Sequence, residues 1–305
     1  MAKYIIKRIL YSILTIWCII TITFFLMKII PGDPFAAEKL PNAAVKAAIS
    51  KQYGFDQPLY IQYVKYLGNF VRGDFGISYQ KAGVTVNKII GDGFPYSLTI
   101  GIWASCLVVI VGVSMGIVSA LRQNKIADRL IMVMSTLGST IPSFVLATGF
   151  LYLFSKTLGI VPAFGVDEAA GYIGPVLVIG AFSTAFITRL TRTSILEVLQ
   201  QDYIRTARSK GLSEFRVIVK HALRNALLPV VTYVGPMIAS IVTGSFVIEK
   251  VFGIPGIGKL FTESIINRDY TMIMGITTFF AVFLVITVLV VDVAYVLIDP
   301  RIKYE

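Results

Sequence analysis

The sequence predicts an all-α polytopic membrane protein with six transmembrane helices. Its 305 residues are 56% apolar and only 15% charged, whereas about 25% of the residues of an ordinary soluble domain are charged. Six runs of at least 19 residues contain no Asp, Glu, Lys or Arg, and about 20 such residues in a helix cross the hydrocarbon layer. Because lipid offers the backbone no hydrogen bonds, helices are the expected form of these runs. The runs are Ile9–Met27, Phe94–Leu121, Leu130–Ser155, Ala169–Thr188, Asn225–Ile248 and Tyr270–Val291.

The net charge of +11 predicts an orientation in the membrane. With the N-terminus placed inside, the segments expected in the cytosol hold 16 of the 28 Lys and Arg but only six of the 17 Asp and Glu. Basic residues concentrate in cytoplasmic loops close to the membrane. The charge therefore favours a multi-pass protein with both termini in the cytosol, and it argues against a nucleic-acid partner. The cytosolic segments are Met1–Arg8, Arg122–Arg129, Arg189–Arg224 and Asp299–Glu305.

Breaker residues and polar segments divide the chain into four parts. Residues 1–30 form the first transmembrane helix, which ends at Pro31-Gly32-Asp33-Pro34. Residues 31–93 form an extracytoplasmic insert, and residues 94–298 form a five-helix core that includes a cytosolic loop over 189–228. A cytosolic tail follows over 299–305.

The extracytoplasmic insert is too rich in apolar residues for a disordered linker, so we expect it to be ordered and packed on the helices. A helix is expected over Asn42–Tyr53, and an aromatic-rich stretch follows at Leu59–Phe75. Aromatic residues recur there at helical spacing. They predict either an interfacial anchor or a docking surface for a soluble partner. These residues are Tyr60, Tyr63, Tyr66 and Phe70.

Residues suited to catalysis, metal binding or cofactor binding are scarce, so the chain is not expected to be an enzyme. The single histidine, His221, lies in the cytosolic loop, away from bilayer depth, and no His/Asp/Glu cluster is present. Asp292 lies close to the cytosolic end of the last helix, where snorkelling, a hydrogen bond or a helix contact explains it better than a proton relay.

One glycine-rich segment imitates a phosphate-binding loop. Gly253–Lys259 fits most of the pattern G-x-x-x-x-G-K-[ST], but Leu260 replaces the hydroxyl residue that binds Mg²⁺. We expect this segment to form a tight re-entrant or surface hairpin held by Val251, Phe252 and Ile254.

The cytosolic loop has the most informative pattern. Helix four is expected to continue to Leu199, and the segment Tyr203–Lys210 then has a helical composition that stops at Gly211, a residue suited to the left-handed position after a helix. Ser213 is expected to cap the next helix, which runs to Leu228-Pro229 at the start of helix five.

The helix after Ser213 is predicted to have two faces. Arg216, Lys220 and Arg224 form a basic stripe that faces lipid head groups or solvent. The opposite, packing side comprises Val217, Ile218, Ala222 and Leu223.

The short helix before Gly211 is the candidate interaction site. An interfacial basic segment is the simpler interpretation of the loop, but it does not explain small residues at the centre of a helix that ends in glycine. Thr206 and Ala207 would allow the groove of another protein to approach closely. The candidate site comprises Tyr203, Ile204, Arg205, Thr206, Ala207, Arg208, Lys210, Gly211 and Leu212.

The segment from Tyr203 to Pro229 resembles the cytoplasmic loop of bacterial ABC-importer permeases, whose core is written E-A-A-x-x-x-G. Aligning on Gly211 places Arg205, Thr206 and Ala207 at E-A-A, and the first two depart from that pattern. The distance from Gly211 to Leu228-Pro229 is also longer than in sugar permeases. Both departures are typical of the oligopeptide, dipeptide and nickel branch, and the chain is most similar to its B-type oligopeptide permeases. Further matches to that branch are Pro31–Phe35, Gly73–Gly76, Gly244–Glu249, Gly253–Gly258, Asn267–Tyr270 and Asp299–Ile302.

The resemblance implies a type I ABC-importer permease fold in the bacterial plasma membrane. Two homologous permeases would form the pore, two ABC ATPases would bind their cytosolic loops, and an extracytoplasmic binding protein would deliver oligopeptides. The helix Tyr203–Gly211 would then be the coupling helix, and ATP hydrolysis would belong to the separate subunits.

Alternative functions remain open at this stage. The same machinery could carry dipeptides, nickel or another small solute. An ion-driven secondary transporter is a different class, which the lack of a convincing internal repeat weighs against. A scaffold or sensor that transports nothing is a third class.

Overall fold

The computed structural model describes residues 2–30, 54, 56–81 and 83–298, and the regular structure of these residues is helical. An isolated bridge between Ile77 and Thr85 is the only β pairing found among them. The predicted helix Asn42–Tyr53, the breaker cluster at residues 31–34 and the tail over 299–305 lie outside the described residues, as does the side chain of Asp292.

The described residues form eleven helices that we number in chain order. Their bounds are α1 Ala2–Ile29, α2 Leu59–Val71, α3 Val86–Leu121, α4 Ile126–Thr140, α5 Ser143–Phe150, α6 Ile173–Leu199, α7 Asp202–Ser209, α8 Leu228–Val242, α9 Phe246–Val251, α10 Ile257–Ile266 and α11 Tyr270–Ile298. A π-helical segment, Leu151–Thr157, continues α5, and a 3₁₀ turn, Ala169–Tyr172, precedes α6.

Among the described residues, five helical stretches are long and apolar enough to cross a membrane. Two further helices, bent against each other, would form a sixth span if they are counted together. The pair is α4 with Ser143–Thr157, at an angle of 108°. The predicted run Leu130–Ser155 is therefore not one continuous helix. Ile141 has an extended backbone, with φ −74° and ψ 126°, because the ring of Pro142 disfavours the helical conformation of the preceding residue.

Residues of the chain fall into two compact units, Met1–Pro95 with Lys259–Ile286 and Tyr96–Gly258 with Thr287–Glu305. In the first unit, α2 packs against α1 through its aromatic residues. The ring of Tyr66 stacks on Phe24 with centroids 5.7 Å apart, and the Tyr63 hydroxyl lies 2.7 Å from Thr21 Oγ1. Tyr60 is 69% exposed. The insert is thus packed on a spanning helix through α2, and part of its predicted aromatic row is used in that packing.

A buried aspartate in the first unit organises the start of α11. Asp269 accepts hydrogen bonds from the hydroxyl of Ser78 and from the backbone N–H of Tyr79 (3.1 Å) and of Met272 (3.1 Å). The last of these caps the first turn of α11, as side-chain oxygens at helix N-termini do. The carboxylate therefore joins the helix to the turn around Ser78.

The second unit contains close helix contacts made through glycine. A Cβ added to Gly116 of α3 would lie 2.5 Å from Cβ of Thr191 and 2.8 Å from the carbonyl oxygen of Thr188, both on α6. One turn earlier, a Cβ on Gly112 would meet Ile187 at 2.9 Å. Small residues four apart let helix backbones approach closely in membranes, so α3 and α6 form a tight pair.

The glycine-rich segment that imitates a phosphate loop forms a tight turn between α9 and α10. Gly253 has φ +66°, and Phe252 and Ile254 are buried, as predicted. The turn surrounds Glu249, whose carboxylate accepts a hydrogen bond from Ser97 Oγ at 2.8 Å. Gly244 and Gly258 leave room for this carboxylate, since a Cβ at either would lie within 3.0 Å of it. These glycines accommodate an internal side chain of the unit.

Candidate functional site

The short helix α7, which follows the long helix α6, is closed at its C-terminus by glycine. Gly211 has φ +73°, and its N–H bonds to the carbonyl of Arg208 at 2.9 Å while the N–H of Leu212 bonds to that of Ala207 at 3.4 Å. This pair of bonds is the Schellman motif, which satisfies carbonyls left free at a helix end. The predicted stop at Gly211 is therefore present, and the helix begins one residue earlier than predicted, at Asp202.

One face of α7 is seated on the protein itself. Ile204 is 0% exposed and Ala207 is 6% exposed, and both pack with Val217 and Ala222. Val198, Leu199 and Leu212 surround this cluster. The expectation that Ala207 meets the groove of another protein is wrong for its side chain, because the helix turns that face towards its own chain. We call Ile204, Ala207, Val217 and Ala222 the seat of α7.

The opposite face of α7 is open to solvent. Tyr203, Arg205 and Thr206 are exposed, as are Ser209 and Lys210 beyond them. Arg205 lies 3.7 Å from Asp202 in a surface pair, and Asn225 Nδ2 donates to the Tyr203 hydroxyl at 3.0 Å. The exposed face therefore presents an aromatic ring, a hydroxyl and positive charge on a fixed support. We call Tyr203, Arg205, Thr206 and Lys210 the outer face of α7.

A salt bridge ties the end of α7 to the segment that follows. Arg208 donates through Nε to Glu214 Oε1 at 2.8 Å and through a terminal nitrogen to Oε2 at 3.2 Å. Exposed pairs contribute about 0–1 kcal/mol, and these side chains are 42% and 61% exposed. The bidentate geometry orients the turn, while the seat supplies most of the attachment.

The segment after the turn is less regular than predicted. A single helix was expected from Glu214, but a π-helical stretch, Val217–Ala222, lies between two short α-helical pieces, Glu214–Arg216 and Leu223–Ala226. Ser213 occupies the capping position without a side-chain bond to the helix, so the predicted cap is wrong in its chemistry. The two predicted faces are correct in outline: Val217 and Ala222 are buried, whereas the stripe of Arg216, Lys220 and Arg224 is exposed.

A buried ion pair next to the loop was not predicted from the sequence. Asp128 is 3% exposed and accepts two hydrogen bonds from Arg192 of α6, at 2.8 and 2.9 Å. It also accepts from Ser119 Oγ at 2.5 Å and from the backbone N–H of Asn124 at 2.8 Å. Asn124 has φ +63°, so the carboxylate holds a strained turn between α3 and α4 against α6.

The extension of α6 carries both features. Arg192 lies two turns before Leu199, where α6 ends, and Ile195 between them is fully buried with Ala120 of α3 and Ala226. Two residues, Gln200 and Gln201, then lead into α7, and the N–H of Ile204 bonds back to Gln201 at 3.0 Å. The chain thus connects α7 directly to α6, and Arg192 joins α6 to the turn between α3 and α4.

The arrangement of an exposed face on a buried support suits contact with another protein. Among residues 2–30, 54, 56–81 and 83–298, no three His, Cys, Asp or Glu side chains are grouped to hold a metal. The predicted site residues divide into an outer face and a buried support, with Gly211 at the turn. The ion pair could have been suspected from the sequence, because Asp128 is the single acidic residue in the basic turn Arg122–Arg129.

Comparison with known proteins places this fold and loop in a family. Residues 112–304 match the family described as "Binding-protein-dependent transport system inner membrane component", and residues 1–101 match its N-terminal companion. The chain is 48% identical over 303 residues to the dipeptide transport system permease protein DppB of Bacillus subtilis, covering 99% of this chain and 98% of that protein. It is 43% identical over 306 residues to the oligopeptide transport system permease protein OppB of Haemophilus influenzae, covering all of both chains.

Solved structures agree on the fold. An inward-facing structure of the MetNI methionine ABC transporter matches with a TM-score of 0.55 and 17% identity, over 71% of this chain and 97% of that chain. An amino acid ABC transporter matches with a TM-score of 0.52 and 18% identity, over 70% and 94%. The predicted all-α fold of a type I ABC-importer permease is confirmed. The chain therefore belongs to the inner membrane component family of binding-protein-dependent transport systems.

Proposed function

We propose that this chain is a pore-forming permease subunit of an ATP-driven importer that carries peptides into the bacterial cytosol. The observation that carries the proposal is the construction of α7, a short helix with an exposed outer face, a buried seat and a two-residue connection to a spanning helix. The names of the two relatives described above, a dipeptide and an oligopeptide permease, support peptides as the cargo. ATP hydrolysis belongs to separate subunits.

The partners follow from the same proposal. Two ABC ATPases bind beneath the pore, one against the outer face of α7 and one against the corresponding loop of a second, homologous permease. An extracytoplasmic binding protein delivers the peptide. The excess of basic residues in the segments that flank α7 supports a cytosolic position for it and for both termini.

The mechanism needs a pore with two states, each favoured by different ligands. ATP-bound motors that close on each other displace α7, and the displacement enters α6 because the seat holds α7 against residues at the end of that helix. The pair of Asp128 and Arg192 passes the movement to α3 and α4. The bend at Ile141 and Pro142 separates α4 from Ser143–Thr157. Because of this break, α4 can move without an equal movement of Ser143–Thr157.

Transport measurements test the function as a whole. We expect proteoliposomes that contain both permeases, both ATPases and the binding protein to accumulate radiolabelled peptide when ATP is supplied on the ATPase side. Uptake should persist with a proton ionophore and stop without ATP. Uptake that an ionophore abolishes would instead favour an ion-driven transporter. Competition by dipeptides, tetrapeptides and Ni²⁺ defines the cargo among the alternatives.

A bulky substitution on the outer face of α7 tests the coupling role. We expect Thr206→Trp to reduce binding-protein-stimulated ATP hydrolysis at least tenfold, because the indole occupies the surface on which the motor rests. The chain should remain folded, since Thr206 is exposed. The measurement is the ATPase rate of the purified complex, together with the amount of ATPase subunit that co-purifies.

Lys220→Trp provides the matched control. Lys220 is also exposed and lies in the same loop, but it belongs to the basic stripe and not to the outer face. Its substitution should leave both ATPase rate and co-purification near wild type. If the two substitutions had equal effects, α7 would not be the coupling element. That result would leave the proposal of peptide transport by the complex intact.

A further inference from the structure

A cavity in the first unit lies where two spanning helices meet the membrane surface. Its volume is about 420 Å³, within the range of about 300–1,000 Å³ that holds small molecules. Its walls are α1, α10 and α11. The lining residues are Thr23, Leu26, Met27, Ile30, Phe261, Ile265, Arg268, Tyr270, Ile273 and Thr277.

The position of the cavity gives it a wet end and an apolar end. Ile30 directly follows α1 and Tyr270 begins α11, so these residues mark the boundary of the membrane. Thr23 and Thr277 each lie seven residues from these boundary residues, towards the middle of their helices, which corresponds to about 10 Å of depth at 1.5 Å per residue. Between these levels the walls are mainly aliphatic and aromatic side chains. The cavity therefore runs from head-group level into the acyl-chain region.

Among the described residues that line the cavity, Arg268 is the one with a charged side chain, and it lies near the wet end. Arg268 is exposed, and no ion pair joins it to another described residue. Its φ of +56° is the left-handed conformation, which side chains other than glycine adopt rarely. The conformation occurs in the short turn between α10 and α11, and Arg268 reaches the cavity from there.

In the part of the chain that the structure describes, the acidic residues close to Arg268 in sequence have other partners. Asp269 is 3% exposed, and its carboxylate is taken by Ser78 and by the N–H groups of Tyr79 and Met272. Glu263 lies 4.0 Å from Lys259 on α10. Asp269 thus holds the start of α11, whereas the adjacent Arg268 lines the cavity.

We propose that this cavity binds one anionic phospholipid, with its phosphate on Arg268 and an acyl chain along Leu26, Phe261 and Ile273. Guanidinium groups bind phosphate oxygens with paired, charge-assisted hydrogen bonds. An acyl chain gains little by leaving the surrounding lipid, because the hydrophobic effect does not operate between two apolar environments. Selectivity therefore comes from the charged head group, and the cavity shape holds the chain in place.

The proposal is tested with the full-length chain in nanodiscs that contain a trace of phospholipid carrying a photoactivatable group in its acyl chain. Phosphatidylglycerol is the anionic probe, and phosphatidylcholine is the zwitterionic probe. After illumination, mass spectrometry locates the labelled peptides. We expect phosphatidylglycerol to label peptides from residues 23–30 and 257–277 more strongly than phosphatidylcholine does.

Two variants separate the charge from the shape of the cavity. Arg268→Gln should reduce labelling by phosphatidylglycerol about fivefold, as expected for one basic residue at a membrane surface. It should reduce labelling by phosphatidylcholine much less, because the choline cation of that lipid offsets the attraction between its phosphate and Arg268. Arg72→Gln, an exposed arginine of the same unit outside the cavity, should have no effect.

Thr277→Phe should reduce labelling by both lipids because the ring shortens the cavity, whereas Val290→Phe, at a 60% exposed position of α11, should not.

Three results would overturn the proposal. Equal labelling by the two lipids, unchanged in Arg268→Gln, would mean that the cavity selects no anionic lipid. Absence of label from residues 23–30 and 257–277 would mean that no lipid occupies it. A disulfide between Ile273→Cys and a cysteine introduced into the second permease or into residues 31–53 would assign the cavity to a protein segment.

Discussion

Replacement of Ile204 by aspartate is expected to release α7 from the protein and abolish coupled ATP hydrolysis. Ile204 is fully buried in the seat with Val217 and Ala222. Truncating a buried isoleucine costs about 2–5 kcal/mol, and an unpaired carboxylate at the same place adds several kcal/mol more. A helix of eight residues has little stability of its own, so this loss exceeds what the remaining contacts of α7 provide.

Hydrogen exchange measures the release directly. In the wild-type chain the amides of Ile204 and Leu212 are bonded within the loop and should exchange slowly. In Ile204→Asp they should exchange at least a hundredfold faster, while amides at the centre of α6 keep their protection. The chain should still insert into the membrane, because the six apolar runs are unchanged.

Arg205→Asp is the control for this experiment. It introduces the same side chain at the next position, where the residue is exposed. Exchange of the α7 amides should therefore remain near the wild-type rate. If Ile204→Asp and Arg205→Asp gave the same exchange rates, burial of Ile204 would not be what holds α7 in place.

Removal of Arg192 is expected to cause the second large loss, in stability. Arg192→Ala leaves the carboxylate of Asp128 buried, with Ser119 and the Asn124 N–H as its remaining partners. Breaking a buried ion pair by removing one partner costs about 3–5 kcal/mol. Asp128→Ala should cost less, since the Arg192 side chain is 22% exposed and can reach water.

A double-mutant cycle measured by thermal unfolding in detergent micelles isolates the pair. The double variant should be more stable than the sum of the single effects predicts, by about 0.5–3 kcal/mol. Arg129→Ala, at an exposed position beside Asp128, should lower the unfolding midpoint little. Strict additivity of the two single substitutions would show that the ion pair contributes nothing beyond its separate side chains.

Local signals in the sequence were sufficient for most elements. Apolar runs located the spans because lipid permits few alternatives to a helix, and Gly211 ended α7 where the left-handed conformation required it. Pro142 carried the signal for the bend in the third span, but the uncharged run around it concealed the break. The π-helical stretch Val217–Ala222 had no composition of its own and could not be distinguished from an α-helix.

The faces of the loop helix were harder to assign. Ala207 is small, so composition alone was compatible with contact to another protein or to the same chain. The direction depends on Val217 and Ala222, which approach α7 only because the Schellman turn at Gly211 reverses the chain. Asp128 and Arg192 are 64 residues apart in sequence, and each was counted as one of many charges of its loop.

The sequence alone determined the class of the protein, the number of apolar runs, the end of α7 and the resemblance to importer permeases. Each of these depends on residues that are close together in the chain. The tertiary structure decided which side of α7 is exposed, that Arg192 pairs with Asp128, and which cavity Arg268 lines. These features arise where segments distant in sequence come together, and the energies involved depend on burial and distance, which residue order does not specify.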